Sequence, residues 1–408
     1  MKKVYLKGPL LTQSGYGHHA RTILRALQSR PDLYDIYVQP ITWGQTSWTW
    51  EDNDERRAID NLLNKTIGYL KSKGTFDVSL QVTIPNEWED LATYNVGITA
   101  GIETNLIHSS WIEKSNMMDK IITISKHSQD GFLNTKYDAT NNNTGESFEY
   151  RCTTPVEYVG YPANVYEPAD LGLNLETNFN FLSVAQLGVR KNVGQLIECF
   201  MEKFHDNEDV GLIIKSNMAK NSLIDRNATL NGFKNILRNY KDRKCKVYLL
   251  HGSLSNEEMA GLYTNPKVKA IVSTTHGEGY GLPLFEAAYY GLPVIATNWS
   301  GHLDFLSMPV KQKNGKIKNK HMFGKINYTL KNVQKEAVWD GVVSEDSMWA
   351  FPEKGSIKMN LQDVYKDHGR FARRAKDLQA WILNEHSPDK IHEKICDLIN
   401  AERSSTQM

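Results

Sequence analysis

One segment of the sequence combines glycines, a proline and two carboxylates at a spacing that suits a phosphate-binding turn. It reads Glu278-Gly279-Tyr280-Gly281-Leu282-Pro283-Leu284-Phe285-Glu286 and lies between an apolar run and a helical pattern. The glycines expose backbone amides, and Pro283 suits the first turn of a helix, where its missing N–H costs nothing. A helix N-terminus favours an anion such as a diphosphate, because unpaired amides and the positive dipole end both point at it. The candidate binding residues are Gly279, Tyr280, Gly281, Leu282 and Glu286, with Glu278 as a candidate catalytic group.

Two adjacent cations, Arg190 and Lys191, follow a second apolar run and precede another helical pattern. At that position Arg190 can hold two phosphate oxygens at once, and Lys191 adds a point charge. Such a pair would stabilise a departing diphosphate. The alternative is that both cations are ordinary loop residues. Lys215 follows the apolar run after these two and is a further candidate for the same site.

The first half of the chain offers weaker candidates. Gly15-Tyr16-Gly17 follows the first apolar run, and this turn either binds the donor or is purely structural. Glu103 follows another apolar run and is either a catalytic group or a surface carboxylate. Asp52-Asn53-Asp54 has an Asp-x-Asp spacing, but it precedes a helical pattern, so we interpret it as a helix start and predict no metal site.

Short apolar runs alternate with helical patterns along nearly the whole chain, which predicts parallel sheets covered by helices. In the second half, strands are predicted at 179–186, 210–214, 246–250, 268–274 and 293–297, with helices between them. In the first half they are predicted near 3–6, 34–39, 77–82, 95–99, 120–124 and 156–159. After residue 360 only helical patterns remain. The segments 138–147 and 310–325 are interpreted as loops.

These patterns predict an α/β fold of two Rossmann-like, doubly wound domains that face each other across a cleft, followed by C-terminal helices. The domains are assigned to residues 1–168 and 169–365, and residues 366–408 are predicted to pack back across the domain junction. Open α/β sheets bind ligands beyond the carboxyl ends of their strands, so we expect the site at that cleft.

The bulk composition excludes several classes of protein. Lys and Arg total 48 against 47 for Asp and Glu, so there is no global attraction to nucleic acid or membrane. The four cysteines show no CxxC spacing, which argues against a zinc site or a disulfide framework. No run reaches membrane-spanning length, and the first residues are too polar for a signal peptide. We therefore expect a cytoplasmic protein.

The segment from Glu278 to Ala287 resembles the Glu-x7-Glu motif of family-four retaining glycosyltransferases, which have the two-domain B-type fold. The resemblance implies a metal-independent hexosyl- or pentosyltransferase that needs no cofactor and uses a nucleotide-diphosphate sugar, UDP-sugars being favoured. It implies that Glu278 holds the donor sugar and Glu286 the ribose. Arg190-Lys191-Asn192 is similar to the family's diphosphate clamp. Relatives place Gly-Arg where this chain has Ala185-Gln186, and many carry a catalytic His near Glu103, which this chain lacks in register.

Two other classes stay open. An enzyme of another class on the same fold, such as a phosphorylase or an epimerase, would share the phosphate-binding logic. A non-catalytic nucleotide-sugar-binding protein would keep the fold without the reaction.

The acceptor is not named by the sequence, but one charge feature bears on it. Residues 310–325 hold six lysines, at 311, 313, 316, 318, 320 and 325, and no acidic residue. This run is either a solvated loop or a contact to double-stranded DNA. The Asn- and Lys-rich composition is similar to that of T-even-type phage glycosyltransferases, which implies hydroxymethylcytosine, or a sugar already on it, as the acceptor in the host cytoplasm. The alternative is polysaccharide or glycan biosynthesis.

Overall fold

The computed structural model describes residues 1–44, 46–49, 51–141, 143–312 and 314–401. The chain divides into two compact units. The first unit comprises residues 1–162, 333–348 and the C-terminal segment from Pro388 onward, and the second comprises residues 163–332 and 349–387. The segments after residue 332 are thus divided between both units.

The first unit contains a six-stranded sheet in the order β2-β1-β3-β4-β5-β8, and every adjacent pair in it is parallel. Helix α1 packs on this sheet through Ala20, Ile23, Leu24 and Leu27, all of which are buried as their spacing predicts. The elements are β1 Lys2–Gly8, α1 Gly15–Gln28, β2 Tyr34–Pro40, α2 Asp54–Lys71, β3 Val78–Val82, β4 Tyr94–Thr99, α3 Ser109–Asn116, β5 Lys120–Thr123, α4 Lys126–Asn134, β6 Lys136–Thr140, β7 Ser147–Arg151 and β8 Val156–Tyr158.

The second unit contains a second parallel six-stranded sheet, in the order β11-β10-β9-β12-β13-β16. Helix α5 buries Val193, Leu196, Ile197, Phe200 and Phe204 against it. The elements are β9 Phe179–Gln186, α5 Val193–Phe204, β10 Val210–Asn217, α6 Leu223–Leu237, β11 Lys246–His251, α7 Asn256–Thr264, β12 Val268–Ser273, α8 Leu282–Tyr289, β13 Val294–Thr297, α9 Leu303–Leu306, β14 Ser307–Lys311, β15 Ile317–His321, β16 Gly324–Ile326 and β17 Tyr328–Asn332.

The remaining elements are β18 Met348–Pro352, α10 Lys354–Lys366, α11 His368–Glu385 and α12 Pro388–Asn400. Helix α11 buries Phe371, Ala375, Leu378 and Ile382, and α12 buries Ile391 and Ile395, as their spacing predicts. The predicted fold class is confirmed: both units are α/β with parallel sheets, and the last described elements, α10 to α12, are helices. The cleft between the domains stays a prediction.

Three local predictions are corrected by the structure. Gly15 and Gly17 do not form a turn but begin α1, where the Ser14 hydroxyl accepts the Gly17 N–H at 2.9 Å. The segment 310–325 is not a loop, because β14 and β15 pair there as an antiparallel hairpin. The predicted loop 138–147 contains the end of β6 and the start of β7, which also pair antiparallel. Alternation was the missing signal in both hairpins, since their strands are largely exposed on both faces.

The interpretation of Asp52-Asn53-Asp54 as a helix start is confirmed. Asn53 is the N-cap of α2, and its side-chain oxygen accepts the Arg56 N–H at 2.9 Å. Within the described ranges, no group of three or more His, Cys, Asp or Glu side chains could hold a metal ion. The four cysteines are buried and form no disulfide. A search of the described helices finds none with the length and apolar character to span a bilayer.

Candidate active site

The strand order of the second unit reverses between two neighbours, β9 and β12. From β9 the chain proceeds outward to β10 and β11, whereas from β12 it proceeds to β13 and β16 on the other side. At such a reversal the loops after the two strands lead away from each other and leave a crevice for ligands. Arg190 and Lys191 follow β9, and Glu278 follows β12. The topology therefore brings these three candidates to one place.

Glu278 contacts both cations. Lys191 Nζ lies 2.6 Å from Glu278 Oε1, and Arg190 Nη1 lies 3.0 Å from Oε2. Arg190 Nη1 also donates to the carbonyl oxygen of Gly277 at 2.7 Å. The Glu278 side chain is 9% exposed, while those of Lys191 and Arg190 are 18% and 30% exposed. The carboxylate is therefore buried beneath two cations that remain partly accessible.

Lys191 and Arg190 keep Glu278 ionised. Burial by itself raises the pKa of the carboxyl, but Lys191 and then Arg190 outweigh burial and lower the pKa to about 2. A buried carboxylate without such partners would take up a proton instead. Glu278 is thus a charged hydrogen-bond acceptor across the physiological range.

The turn after Glu278 is fixed by its backbone. Gly281 has a φ of 92° and is the N-cap of α8, and a Cβ there would lie 3.2 Å from His302 Cβ, so glycine is required. The Glu278 N–H donates to the Ser300 hydroxyl at 2.9 Å, and the Gly301 N–H donates to the Glu278 carbonyl at 2.9 Å. These bonds hold the backbone of the candidate residues Gly279 to Leu282 at the start of α8.

Tyr280 has a structural side chain within this turn. Its ring is buried and packs against Phe305 at 4.9 Å and Phe285 at 5.3 Å between centroids. Only the backbone of Tyr280 is therefore a candidate for anion binding. The other donors for an anion are the backbone amides at the start of α8, which no side chain caps in the described part of the chain.

Glu286 lies one helical turn further on and forms a second polar group. The Tyr263 hydroxyl donates to Glu286 Oε2 at 2.8 Å. Burial raises the pKa of Glu286 to about 7, and Tyr263 and Lys215 oppose that rise only in part. Burial lowers the pKa of Lys215, which Glu286 partly offsets. The structure thus brings Lys215, which lies on β10, near Glu286, which lies on α8.

A pH-dependent stability follows from Glu286. Because its folded pKa is raised from 4.5 to about 7, the folded protein retains a proton that the unfolded chain releases in that window. The associated stability is complete below about pH 4.5 and is lost as the pH rises through about 7. It amounts to on the order of 3 kcal/mol. We expect Glu286→Gln to remove this part of the pH dependence, measured as the free energy of urea unfolding at pH 5 and pH 8. An exposed control, Glu208→Gln, is expected to keep it, and equal pH dependence in Glu286→Gln and wild type would contradict the assignment.

Sequence reasoning missed the role of Tyr263, because it lies on α7, 23 residues before its partner Glu286, and no motif links the two. Two histidines near the turn are buried as well. His276 is buried, stacks on Trp349 at 5.0 Å and bonds the Ala350 carbonyl through Nδ1 at 2.6 Å, which gives it a packing role. His302 is fully buried and donates from Nε2 to the Thr297 carbonyl at 2.6 Å.

The remaining candidates, Gly15, Gly17 and Glu103, lie in the first unit. A Cβ on Gly17 would lie 2.1 Å from the Thr12 carbonyl oxygen, so this glycine is required for local packing. Gly15 has open space around it. Glu103 is half-buried. Burial of Tyr16, and to a smaller extent the nearby Glu103, raises the pKa of Tyr16, whose hydroxyl bonds Thr99 Oγ1 at 2.8 Å. Glu103 is therefore near the carboxyl end of β4.

Comparisons with known proteins bear on the second unit first. Residues 172–332 match the family model described as glycosyl transferases group 1. Over 118 residues the chain is 31% identical to the serotype-specific mannosyltransferase WbdA of Escherichia coli, an alignment that covers 28% of this chain and 13% of WbdA. This chain thus spans only a small part of that relative.

Several solved structures match nearly the whole chain. The structure of Anabaena HepE in complex with UDP and glucose is 13% identical, with a TM-score of 0.59 over 97% of this chain and 99% of HepE. Sucrose-phosphate synthase from Thermosynechococcus elongatus is 13% identical, with a TM-score of 0.61 over 98% of each chain. At such identities the likeness establishes the fold. The resemblance to T-even-type phage enzymes has no support in these relatives and stays a prediction.

The predicted resemblance is supported over the matched segment, which contains both Glu278 and Glu286. Residues 172–332 thus match the glycosyl transferases group 1 model, and the two α/β units of the chain have the B-type glycosyltransferase fold.

Proposed function

We propose that this protein is a retaining glycosyltransferase that moves a sugar from a nucleotide-diphosphate sugar to an acceptor hydroxyl. The observation that carries the proposal is the cluster of Glu278, Arg190 and Lys191 at the switch point of the second sheet. The buried carboxylate of Glu278 can accept a hydrogen bond from a sugar hydroxyl, and the two partly exposed cations can bind a diphosphate. The amides at the start of α8 add donors for the same anion.

In the proposed reaction, the bond between the anomeric carbon and the phosphate oxygen breaks, and its electron pair stays on that oxygen. The acceptor oxygen bonds the anomeric carbon on the same face, and its proton passes to the leaving phosphate. Arg190 and Lys191 stabilise the negative charge that develops on the diphosphate. In the free protein Glu278 neutralises these cations, so they are held in position before the donor binds.

We assign the ribose of the nucleotide to Glu286. Since the pKa of Glu286 is about 7, roughly half of the free protein carries a proton there at neutral pH. Lys215 lies close enough to favour the carboxylate, and Tyr263 fixes its orientation. A carboxylate in this position accepts hydrogen bonds from ribose hydroxyls.

We favour UDP as the nucleotide, because HepE was solved with UDP and glucose, and a further neighbour of the same fold with UDP-2-fluoro glucose. The test is a panel of nucleotide sugars screened by thermal shift, followed by hydrolysis of the donor that binds. We expect one UDP-sugar to raise Tm and to be slowly hydrolysed without added phosphate. Dependence on inorganic phosphate would indicate a phosphorylase, and binding without turnover on any acceptor would indicate a binding protein.

Two acceptor classes have a specific observation in their favour. The match to a mannosyltransferase favours a hydroxyl of a growing glycan. The lysines of β14 and β15 favour hydroxymethylcytosine, or a sugar on it, in double-stranded DNA. Incubating the identified donor with hydroxymethylated DNA and with oligosaccharides, and following sugar incorporation by mass spectrometry, separates the two. We assign acceptor binding to the first unit, with Glu103 as the candidate group there.

A further inference from the structure

The hairpin formed by β14 and β15, here called the basic ribbon, carries a concentration of positive charge. Between residues 305 and 335 the sequence has eight lysines and no acidic residue, although the whole chain is close to neutral. Some exposed lysines elsewhere pair with carboxylates, as Lys354 does with Glu198 and Lys358 with Glu202. Among the described residues, no ion pair involves Lys311, Lys316, Lys318 or Lys320. Lys313 lies outside the described residues.

The ribbon is anchored at its base, and its second strand is exposed along its length. Met322 and Phe323, which follow β15, are buried, and the Met322 N–H donates to the Leu306 carbonyl at 2.9 Å. Every residue of β15 is exposed. β14 is partly buried at Ser307, Met308 and Val310. The lysines of β15 are thus exposed on a strand with a fixed base, which favours contact with a partner over a role in packing.

The lysines lie on both faces of the ribbon. In the antiparallel register, Lys318 is opposite Val310 and Lys320 is opposite Met308, so both lysines share one face. Lys311 is opposite Ile317, one residue out of step, and lies on the other face. A flat anionic surface such as a membrane can contact only one face of a ribbon. A groove lined by phosphates contacts both.

We propose that the basic ribbon docks this protein on duplex DNA by entering the major groove. That groove is about 12 Å wide and admits a two-stranded ribbon, whose strands lie ~5 Å apart. Lysines on the two faces then contact the phosphates on either side. This docking rests on the DNA acceptor of the proposed function and names the surface that binds it. It is measured without a donor, so its failure and the failure of sugar transfer are distinguishable.

The test compares wild type with a variant carrying Lys311→Gln, Lys318→Gln and Lys320→Gln. Binding to a fluorescent mixed-sequence duplex is followed by anisotropy over a range of salt concentrations. We expect the variant to lose about tenfold or more in affinity at low salt, and the slope of log K against log salt to become shallower by about 3. A matched control with Lys241→Gln, Lys366→Gln and Lys376→Gln removes the same charge from exposed positions of the second unit and is expected to bind like wild type.

Three results would overturn the proposal. The ribbon variant could keep the wild-type slope, or the control could lose as much affinity as the ribbon variant. Wild type could also bind single-stranded DNA or vesicles of anionic lipid as tightly as duplex DNA, which would exclude recognition of a groove. Circular dichroism of both variants confirms that they are folded, and Lys318→Gln alone, with an expected slope change of about 1, repeats the test with less perturbation.

Discussion

We expect Lys191→Ala to lower kcat about 100- to 1,000-fold, equivalent to ~2–4 kcal/mol of lost transition-state stabilisation. The reason is that Lys191 supplies one of two cations at the switch point, 2.6 Å from a buried carboxylate and itself partly exposed. The developing charge on the diphosphate is largest in the transition state, so the loss is expected in kcat more than in KM. The measurement is steady-state transfer with the donor identified by the nucleotide-sugar panel.

Two further variants separate catalysis from folding. Arg190 still contacts Glu278 in Lys191→Ala, so the carboxylate keeps a partner and the fold is expected to persist. Lys234→Ala, an exposed lysine on α6 in the same unit, is the matched control and is expected to retain full turnover. Lys191→Arg keeps the charge and is expected to recover part of the rate. Near-normal turnover in Lys191→Ala would remove this lysine from the diphosphate clamp.

The division of labour between the two cations follows from their bonds. Arg190 Nη1 is shared between the Gly277 carbonyl and Glu278, whereas Lys191 Nζ donates to Glu278. Arg190 thus also ties the loop after β9 to the loop after β12. The His276 N–H, which donates to the Arg190 carbonyl at 2.8 Å, strengthens the same connection. Loss of Arg190 is therefore expected to perturb the loop as well as the rate, which makes Lys191 the cleaner probe.

The sequence was most informative where apolar runs end in glycine-rich or charged turns. Strand β9 spans the predicted residues, and α8 begins next to Pro283 as expected. Apolar periodicity reflects burial, and the strands of the second sheet and the faces of α5 and α11 are buried. Because β9 and β12 are parallel, the loops that follow them lie at the same edge of the second sheet. This places Arg190 and Glu278 together without any knowledge of long-range contacts.

What the sequence did not contain were contacts set by three-dimensional position alone. The bond from Tyr263 to Glu286 joins two helices, and the raised pKa of Glu286 depends on burial that no local pattern encodes. The basic ribbon was missed for a different reason. Its second strand is exposed on both sides, so hydrophobic alternation, the usual signal for a strand, is absent. Gly15 and Gly17 show the converse, since glycines that suggest a turn can also begin a helix that Ser14 caps.

Glu278→Gln tests the other half of the cluster, and its effects on binding and on transfer are expected to go in opposite directions. The variant keeps the shape of the side chain but removes the negative charge that neutralises Arg190 and Lys191. A diphosphate then becomes the nearest anion for both cations. We expect affinity for the nucleoside diphosphate to rise about tenfold, since one unit charge several ångströms away is worth ~1–2 kcal/mol at an intermediate dielectric. Isothermal titration calorimetry measures this directly.

Transfer by Glu278→Gln is expected to fall about 100-fold or more. Glutamine can accept one hydrogen bond from a sugar hydroxyl, but its amide group now faces a cation where the carboxylate oxygen was. The donor sugar is therefore held less well, and no carboxylate charge remains beside Arg190 and Lys191 to neutralise them. Because the lost interaction concerns the sugar, the nucleotide sugar is expected to gain less affinity than the nucleotide alone. Glu208→Gln, an exposed carboxylate in the same unit, controls for the change in net charge.

The comparison of the two ligands distinguishes a role in the reaction from a role in folding. If Glu278 only holds the loop together, Glu278→Gln loses affinity for the nucleotide and for the nucleotide sugar alike, with a lower Tm. If it binds the donor sugar, the nucleotide binds at least as well as in wild type while transfer is lost. Normal transfer by Glu278→Gln would contradict this role. The charged carboxylate that pairs with both cations, and whose pKa is about 2, would then not be needed for the proposed reaction.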